Sequence, residues 1–227
     1  MNAAFTLPPL IDDLSLSYRL RPADGPAQGL VVLLHGVGSN EASMAGLAAV
    51  LSPSLAVALV RSPIALGPSA FCAFQVSFTS NGPVIDVEAA EVSRGKLVVF
   101  IADLQARLRI PAERTVVAGF SQGGIMSASL ALTHPDSVAG FAILSGRILP
   151  EIAPLLAPAV ELARLQALVT HGSVDNTLPA AWAERSDQWL GELGVPLESH
   201  RYPAGHEITP DMARDFVGWA VRVLPAV

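Results

Sequence analysis

The feature that most constrains this sequence is a serine flanked by glycines where a predicted strand turns into a predicted helix. Residues 115–119 (TVVAG) form a short apolar, β-branched run that predicts a buried strand. Residues 122–133 predict a helix, which the following His-Pro pair would end. Between them, the GFSQG pattern at 119–123 would place Ser121 on a sharp turn with its hydroxyl exposed. This context, more than the pattern itself, favours a nucleophilic serine over an ordinary helix N-cap.

The rest of the chain alternates apolar runs with amphipathic ones. Strands are predicted at 14–21, 30–34, 55–60, 115–119, 138–144, 167–170 and 197–202; helices are predicted after Asn40, from Asp86 to about 110, at 122–133, from about 179 to 190 and from Thr209-Pro210 onward. The continuous apolar runs suit central parallel strands, whereas the alternation in 14–21 indicates a half-buried edge strand. The pattern predicts an α/β fold with a mostly parallel central sheet and helices on both faces. We expect residues 1–227 to form a single domain, because a chain of this size can bury one sizeable core.

Residues 61–83 interrupt the alternation, because they are rich in Pro, Gly, Ser and Phe. Every second residue from Cys72 to Phe78 is apolar, ahead of a predicted turn at Asn81-Gly82, which indicates a strand with one apolar face. We interpret the segment as an excursion over the active-site edge of the sheet. Its apolar face either packs as ordinary core or forms one wall of a substrate pocket, and both interpretations stay open. The candidate lining residues are Phe71, Phe74, Val76 and Phe78.

Residues that can carry out chemistry follow the predicted strands at their carboxyl ends, where sheets of this kind bind ligands. Asp175 comes soon after the strand at 167–170, and His206 lies in the loop after the last strand. Together with Ser121 they supply a nucleophile, a base and a carboxylate that orients the base. The order Ser, Asp, His along the chain is that of an α/β-hydrolase.

The alternative bases and acids have weaker positions. Four other histidines are present: His134 at a helix end, His200 within a strand, His171 only four residues before Asp175, and His35 in a glycine-rich loop. Three other carboxylates are weighed: Glu184 and Asp187 within a helix, and Asp136 directly after one. Asp175 itself could instead be a turn-forming residue. The pattern favours His206 and Asp175.

An acyl-transfer site also needs two backbone N–H donors for the developing oxyanion. The residue after the nucleophile, Gln122, supplies one, and Val37 in the first strand–helix loop supplies the other. Gly36 and Gly38 would let this loop approach the substrate. Cys72 has no apparent activating partner, so we expect a small buried hydrophobe there.

Composition excludes several classes of function. The chain has 14 Lys and Arg against 20 Asp and Glu, a net charge of −6, and no basic run, so nucleic acid is not an expected partner. No window near 18 residues lacks charges or prolines, so no membrane span is expected. The single cysteine cannot form an internal disulfide, and the first 20 residues lack a signal-peptide pattern, so we expect a cytoplasmic protein. Monomer and homodimer both stay open.

Four motifs stand in a fixed order in this sequence: LLHGVG at 33–38, GFSQGG at 119–124, HGSVDNTLP at 171–179 and YPAGH at 202–206. Together they resemble the small carboxylesterase/phospholipase family of the α/β-hydrolases, which includes the acyl-protein thioesterases. The resemblance spans roughly residues 14–224. Two positions depart from the family pattern: Ser39 stands where many members have an aspartate, and Ala73-Phe74-Gln75 where many have a Trp-aromatic-Asp element.

The resemblance implies hydrolysis of carboxylic esters or thioesters with no metal or cofactor. It supports the assignment of Ser121, Asp175 and His206 as a catalytic triad, with Val37 and Gln122 as oxyanion donors. We therefore expect a small-molecule ester or thioester substrate and an acyl-enzyme on Ser121. A catalytically silent ligand-binding module on the same fold is the alternative from another class, and a lactone or peptide hydrolase is the alternative among enzymes.

Overall fold

A computed structural model describes residues 6–79 and 82–224, over which the chain forms twelve strands and six α-helices. The strands are β1 Leu10–Ile11, β2 Tyr18–Arg21, β3 Gly29–Leu34, β4 Leu55–Val60, β5 Ile64–Gly67, β6 Ala70–Cys72, β7 Val76–Thr79, β8 Gly82–Ile85, β9 Thr115–Phe120, β10 Gly140–Leu144, β11 Gln166–Gly172 and β12 Leu197–Tyr202. The helices are α1 Ala45–Val50, α2 Val87–Leu108, α3 Gln122–Thr133, α4 Ala159–Leu162, α5 Ala181–Glu192 and α6 Pro210–Val223. Short 3₁₀ turns lie at Glu41–Met44, Ala112–Arg114, Pro135–Ser137 and Pro150–Leu155.

Eight of the described strands form the central sheet, in the order β1-β2-β4-β3-β9-β10-β11-β12. From β4 to β12 every neighbouring pair is parallel, and only β1 and β2 are antiparallel to their neighbours. The strands β3, β4 and β10 are buried along their whole length, as their continuous apolar sequences predict. The predicted α/β class with a mostly parallel sheet is confirmed.

Helices cover both faces of the sheet because successive side chains of each strand point to opposite sides. In β3, Leu30 and Val32 pack into a core with α2, α3 and α5. Val31 and Leu33 pack into a second core with α1 and α6. No helix in the described ranges combines the length and the apolarity needed to cross a bilayer.

Several helix starts lie where the capping residues predict them. Asp86 accepts the Ala89 N–H at 2.9 Å at the start of α2, and Thr209 accepts the Met212 N–H at 3.2 Å at the start of α6. Asn40 caps the 3₁₀ turn that leads into α1. These predictions are confirmed because the signals that carry them are local.

The predicted first strand, 14–21, is wrong in its extent. Only Tyr18–Arg21 pairs with β4, and β1 pairs on its other side, so β2 is not the edge strand. Residues 13–16 bend instead, and Ser17 donates its hydroxyl to Asp12 at 2.8 Å. Such local side-chain bonds compete with strand pairing, while the alternating pattern still buries Leu16.

The excursion at 61–83 is two hairpins rather than one strand. β5 pairs with β6 and β7 pairs with β8, both antiparallel, and residues 73–75 bend between them. The continuous strand predicted from Cys72 to Phe78 is therefore wrong. Of the predicted turn at Asn81-Gly82, Asn81 lies outside the described residues.

The bend between the hairpins is held by the residue that follows Ser121. The Ala73 N–H donates to Gln122 Oε1 at 2.8 Å, and Gln122 Nε2 donates to the Phe74 carbonyl at 2.8 Å. The Ser93 hydroxyl of α2 donates to the Ala73 carbonyl. These backbone groups find side-chain partners instead of a neighbouring strand, which is why the strand ends here.

Candidate active site

Ser121 occupies a strained turn between β9 and α3. Its φ of 54° and ψ of −117° are unusual for a residue with a side chain. The glycines around it are sterically required: a Cβ on Gly119 would lie 2.1 Å from the Gly123 carbonyl carbon, and one on Gly123 would lie 2.2 Å from the Leu34 carbonyl oxygen. The turn therefore packs tightly against β3 and holds the Ser121 hydroxyl at the carboxyl edge of the sheet.

The structure brings Ser121, His206 and Asp175 into one hydrogen-bonded chain. Ser121 Oγ lies 2.9 Å from His206 Nε2, and His206 Nδ1 lies 2.7 Å from Asp175 Oδ2. The loop that carries His206 approaches β11 closely, since a Cβ on Gly172 would lie 2.2 Å from the Gly205 carbonyl oxygen. The three side chains come from the ends of β9, β11 and β12, as predicted from the motif order.

Asp175 is held as a carboxylate. Burial raises the pKa of this carboxyl group, but hydrogen bonds from His206 and from the backbone N–H groups of Leu178 and Thr177 outweigh burial, so the net pKa is lowered. Both N–H groups donate to Oδ1 at 2.8 Å, which leaves Oδ2 for the imidazole. An ionised acceptor at Nδ1 favours the tautomer whose Nε2 can accept the Ser121 proton.

His171, which the sequence disfavoured as the base, contacts the same carboxylate. It is fully buried, its Nε2 donates to the Leu178 carbonyl at 2.7 Å, and that nitrogen lies 3.3 Å from Asp175 Oδ2. Burial lowers the pKa of His171 and so favours the neutral imidazole. His171 thus braces the loop that presents Asp175, a role that its place in the HGSVDNTLP motif could have suggested.

The two predicted oxyanion donors both lie beside Ser121. Val37 and Gln122 line the cavity into which Ser121 opens. Gln122 begins α3, so its N–H has no partner within the helix. Gly36 packs against the turn, since a Cβ there would lie 3.3 Å from Ser121 Cβ. The loop is fixed from behind by His35, which donates from Nδ1 to the Gly36 carbonyl at 2.7 Å and accepts the Ser62 N–H at 3.0 Å.

The cavity at Ser121 has a volume of about 550 Å³. This size suits a small organic ligand or an acyl chain. Its lining is mostly apolar: Val37, Leu66, Cys72, Phe74, Gln75, Val76, Ile85, Ser121, Gln122, Ile125, Arg147, Thr177, Leu178, Pro179 and Trp182. Phe74 and Val76 are therefore at this cavity, and Phe74, at 1 % exposure, is also part of the hydrophobic core. In the structure Phe74 both packs in the core and lines the cavity, so the two interpretations hold together.

Of the other two candidate lining residues, only Phe71 can be placed. The Phe71 backbone bonds to Ser39 and Gly38, and its ring lies 4.5 Å from the guanidinium carbon of Arg61, so Phe71 is not among the cavity residues. The side chain of Phe78 lies outside the described residues. Cys72 lines the cavity, but it is fully buried and burial raises the pKa of its thiol, which disfavours a thiolate.

Sequence reasoning missed much of the cavity lining, including two residues that contact each other, Arg147 and Trp182. Arg147 is 7 % exposed, and its guanidinium carbon lies 4.4 Å from the ring centre of Trp182 on α5. An arginine beyond a strand is usually exposed, so no local pattern marked it. Within residues 6–79 and 82–224, no group of three or more His, Cys, Asp or Glu side chains is arranged to hold a metal ion.

A mostly parallel sheet with a Ser-His-Asp chain at its carboxyl edge defines the α/β-hydrolase class. The sequence model of the family described as Phospholipase/Carboxylesterase matches residues 75–218. Acyl-protein thioesterase 1 of Eremothecium gossypii is 30 % identical over 219 residues, which cover 88 % of this chain and 90 % of that protein. The chain belongs to the phospholipase/carboxylesterase family, as its motifs predict.

Two further comparisons give a partial sequence match and a match of fold. Acyl-protein thioesterase 1 of Mycosarcoma maydis is 36 % identical over 125 residues, or 52 % of this chain, and the match spans only about half (51 %) of that protein's length. A carboxylesterase from Mesorhizobium loti superposes with a TM-score of 0.81 at 24 % identity, covering 93 % of this chain and 97 % of the other. At that identity the superposition supports the fold.

Proposed function

We propose that this protein is a serine hydrolase that cleaves carboxylic esters or thioesters through an acyl-enzyme on Ser121. The observation that carries the proposal is the chain Ser121–His206–Asp175, with contacts of 2.9 and 2.7 Å, at the mouth of a mostly apolar cavity. Relatives that bear carboxylesterase and acyl-protein thioesterase names support the reaction class.

In this mechanism Ser121 Oγ attacks the acyl carbon while His206 Nε2 takes its proton. Asp175 stabilises the imidazolium that forms. The backbone N–H groups of Val37 and Gln122 donate to the developing oxyanion. His206 then protonates the leaving alcohol or thiol, and water, deprotonated by the same imidazole, releases the acid and restores Ser121.

Covalent labelling tests the proposal directly against a catalytically silent module. A fluorophosphonate should add one phosphonyl group to the wild-type protein, and peptide mass spectrometry should locate it on Ser121. Ser121→Ala should remain unlabelled. Ser145→Ala is the matched control, because Ser145 also has a positive φ, of 52°, and follows the neighbouring strand β10. Absence of labelling in wild type, together with no release of p-nitrophenol from p-nitrophenyl acetate, would support the silent module.

Rates with matched substrates separate the enzyme alternatives. We expect the ester and the thioester of one acyl group to be cleaved faster than its anilide or a lactone of similar size.

We also propose that residues 1–227 form one cytoplasmic domain; the lone cysteine, buried Cys72, is compatible with a reducing compartment. Sedimentation velocity distinguishes the monomer from the homodimer.

Phe74→Ala should change both stability and chain-length preference, because Phe74 is buried in the core and lines the cavity. We expect a loss of about 3–5 kcal/mol in the free energy of unfolding. The enlarged cavity should shift kcat/KM toward longer acyl chains, by up to about 0.8 kcal/mol per accommodated methylene. Melting temperature and rates on p-nitrophenyl acetate, butyrate and hexanoate measure the two effects.

Phe71→Ala is the control for this experiment, since it removes the same side chain outside the cavity. Its chain-length preference should equal that of wild type. A destabilised Phe74→Ala variant with unshifted preference would assign Phe74 to the core alone.

A further inference from the structure

Arg147 extends from a segment that adjoins the nucleophile. It follows β10 by way of Gly146, where a Cβ would lie 2.8 Å from the Ser121 carbonyl oxygen. Consecutive Cα atoms are about 3.8 Å apart, so the Arg147 backbone begins next to the Ser121 turn. Arg147 is 7 % exposed and lines the same cavity as Ser121. Among the described residues that line this cavity, it is the only charged one.

The Arg147 guanidinium has no anionic partner in the described part of the chain. It forms neither a hydrogen bond nor an ion pair there, and its nitrogens are not completely buried. Burial lowers its pKa and the Glu151 carboxylate opposes this effect, but a guanidinium stays charged at neutral pH. A buried charge is costly unless something pairs with it. Glu151 acts on this charge without forming an ion pair with it, so the guanidinium can still bind an anion on a molecule that enters the cavity.

The contact with Trp182 leaves the binding edge of Arg147 free. The guanidinium carbon lies over the Trp182 ring, 4.4 Å from its centre, in a cation–π contact. The N–H groups of a guanidinium point outward in its plane, where they match the paired oxygens of a carboxylate or phosphate. The contact with Trp182 restrains the side chain in advance, which reduces the entropy lost on binding.

We propose that Arg147 is a substrate-binding residue that pairs with an anionic group, a carboxylate or a phosphate, carried by the ester that Ser121 cleaves. The inference rests on the proposed function, which it deepens by naming a class of substrate. The apolar lining would hold the carbon chain, and Arg147 would hold the charged end. Preferred substrates are therefore esters with an anion remote from the scissile bond, such as hemiesters of dicarboxylic acids.

A purely structural role for Arg147 predicts something different. If the guanidinium only packs on Trp182, its loss should affect charged and neutral esters equally. Arg185 offers a matched comparison, because its guanidinium carbon lies 4.7 Å from the same ring while its side chain is exposed and does not line the cavity at Ser121. Arg185→Gln removes a stacked cation from Trp182 without touching the cavity.

The experiment compares kcat/KM for monomethyl glutarate with that for methyl 5-methylhexanoate, in which an uncharged isopropyl group replaces the carboxylate. A second pair carries the charge on the alcohol side: 4-acetoxybenzoate against 4-acetoxytoluene. Acetoxyphenyl phosphate provides the phosphate arm. Turnover is followed by pH-stat or product chromatography, so no chromogenic group is needed.

Wild type should prefer at least one anionic ester over its neutral partner. Arg147→Gln should lower that charged-to-neutral ratio by about 10- to 100-fold, the range expected for hydrogen bonds to a charged group. Arg147→Lys should keep part of the preference, because it retains the charge without the planar fork. Arg185→Gln should leave the ratio unchanged. The substrate that shows the preference identifies the anion that Arg147 binds as a carboxylate or a phosphate. It also shows whether that anion belongs to the acyl side or to the alcohol side of the ester.

Failure of this inference and failure of the proposed function look different. Turnover of neutral esters that depends on Ser121, with no anionic preference in wild type, would overturn the role of Arg147 and leave the hydrolase intact. An equal loss on both members of each pair in Arg147→Gln and Arg147→Lys would assign Arg147 to packing. Absence of turnover on every ester would instead overturn the proposed function. A wild-type protein without anionic preference overturns the role even if an Arg147→Gln variant does not fold, and Arg147→Lys is then the variant that tests a preference seen in wild type.

Discussion

Ser121→Ala is expected to lower kcat for ester hydrolysis by on the order of 10⁴-fold or more while the fold stays intact. Only one hydroxyl is lost, and its hydrogen bond in the described structure is the one to His206 Nε2, at 2.9 Å. Without Oγ no acyl-enzyme can form, and His206 can at most activate water weakly. The strained backbone at φ 54° is equally strained for alanine and serine, so the melting temperature should change little.

Steady-state rates and an active-site titration check this result together. The titration counts the sites that release p-nitrophenol in a burst, so a trace of wild-type contaminant is recognised by its burst size. Residual activity above about one hundredth of wild type, with a burst that matches the whole protein, would move the nucleophile to another residue.

The sequence predicts the elements that build the Ser121 turn because their signals are local. An apolar run marks β9, and the steric demands at Gly119 and Gly123 appear directly as glycines in the motif. The close approach of Gly123 to Leu34, a residue distant in sequence, can also be predicted from the motif, because only glycine fits at position 123. The order of motifs then places Asp175 and His206 without knowledge of the loops between them.

The two hairpins at 61–83 could not be predicted in the same way. Their break at 73–75 depends on Gln122, which is 49 residues from Ala73 and 48 from Phe74 along the chain. The alternation resembles a strand because every second residue from Cys72 to Val76 lines the cavity. An alternating apolar pattern indicates which side chains are buried, but it does not indicate which groups the backbone forms hydrogen bonds with.

The positions of Arg147 and Phe71 in the site could not be predicted from the sequence either. Arg147 is buried in a cavity that Trp182, 35 positions later on α5, also lines, and its guanidinium contacts the Trp182 ring. Phe71 does not line the cavity: its backbone pairs with Ser39 and its ring contacts Arg61. In both cases the partner is distant in sequence, so neither residue type nor periodicity carries the information.

Asp175→Asn is the second substitution with a large expected effect, a loss of about 10⁴-fold in kcat near neutral pH. The structure gives the reason. The N–H groups of Thr177 and Leu178 both donate to Oδ1, so the asparagine must keep its carbonyl oxygen there and place its NH₂ group where Oδ2 meets His206. That NH₂ group donates to Nδ1 and forces the proton onto Nε2, which can then no longer accept the proton of Ser121.

The same substitution removes an acid-sensitive contribution to stability. Because the native pKa of Asp175 lies below that of an unfolded aspartate, about 3.9, its ionised form stabilises the fold above that pH. The contribution is lost as the pH falls through the lowered native pKa. The difference in unfolding free energy between wild type and Asp175→Asn should therefore narrow below about pH 4, as urea denaturation at a series of pH values would show.

Asp187→Asn is the matched control, since Asp187 is the helical carboxylate that the sequence offered as an alternative acid. Its Oδ2 accepts from Arg201 at 2.6 Å and from Ser199 at 2.8 Å, and it has no contact with His206. We expect kcat within about twofold of wild type, because surface substitutions of this kind have small effects. Wild-type kinetics in Asp175→Asn, or a large loss in Asp187→Asn, would assign the orienting carboxylate elsewhere. A 10⁴-fold loss confined to Asp175→Asn would assign the orienting carboxylate to Asp175, whose replacement changes both the tautomer of His206 and the charge that stabilises its imidazolium.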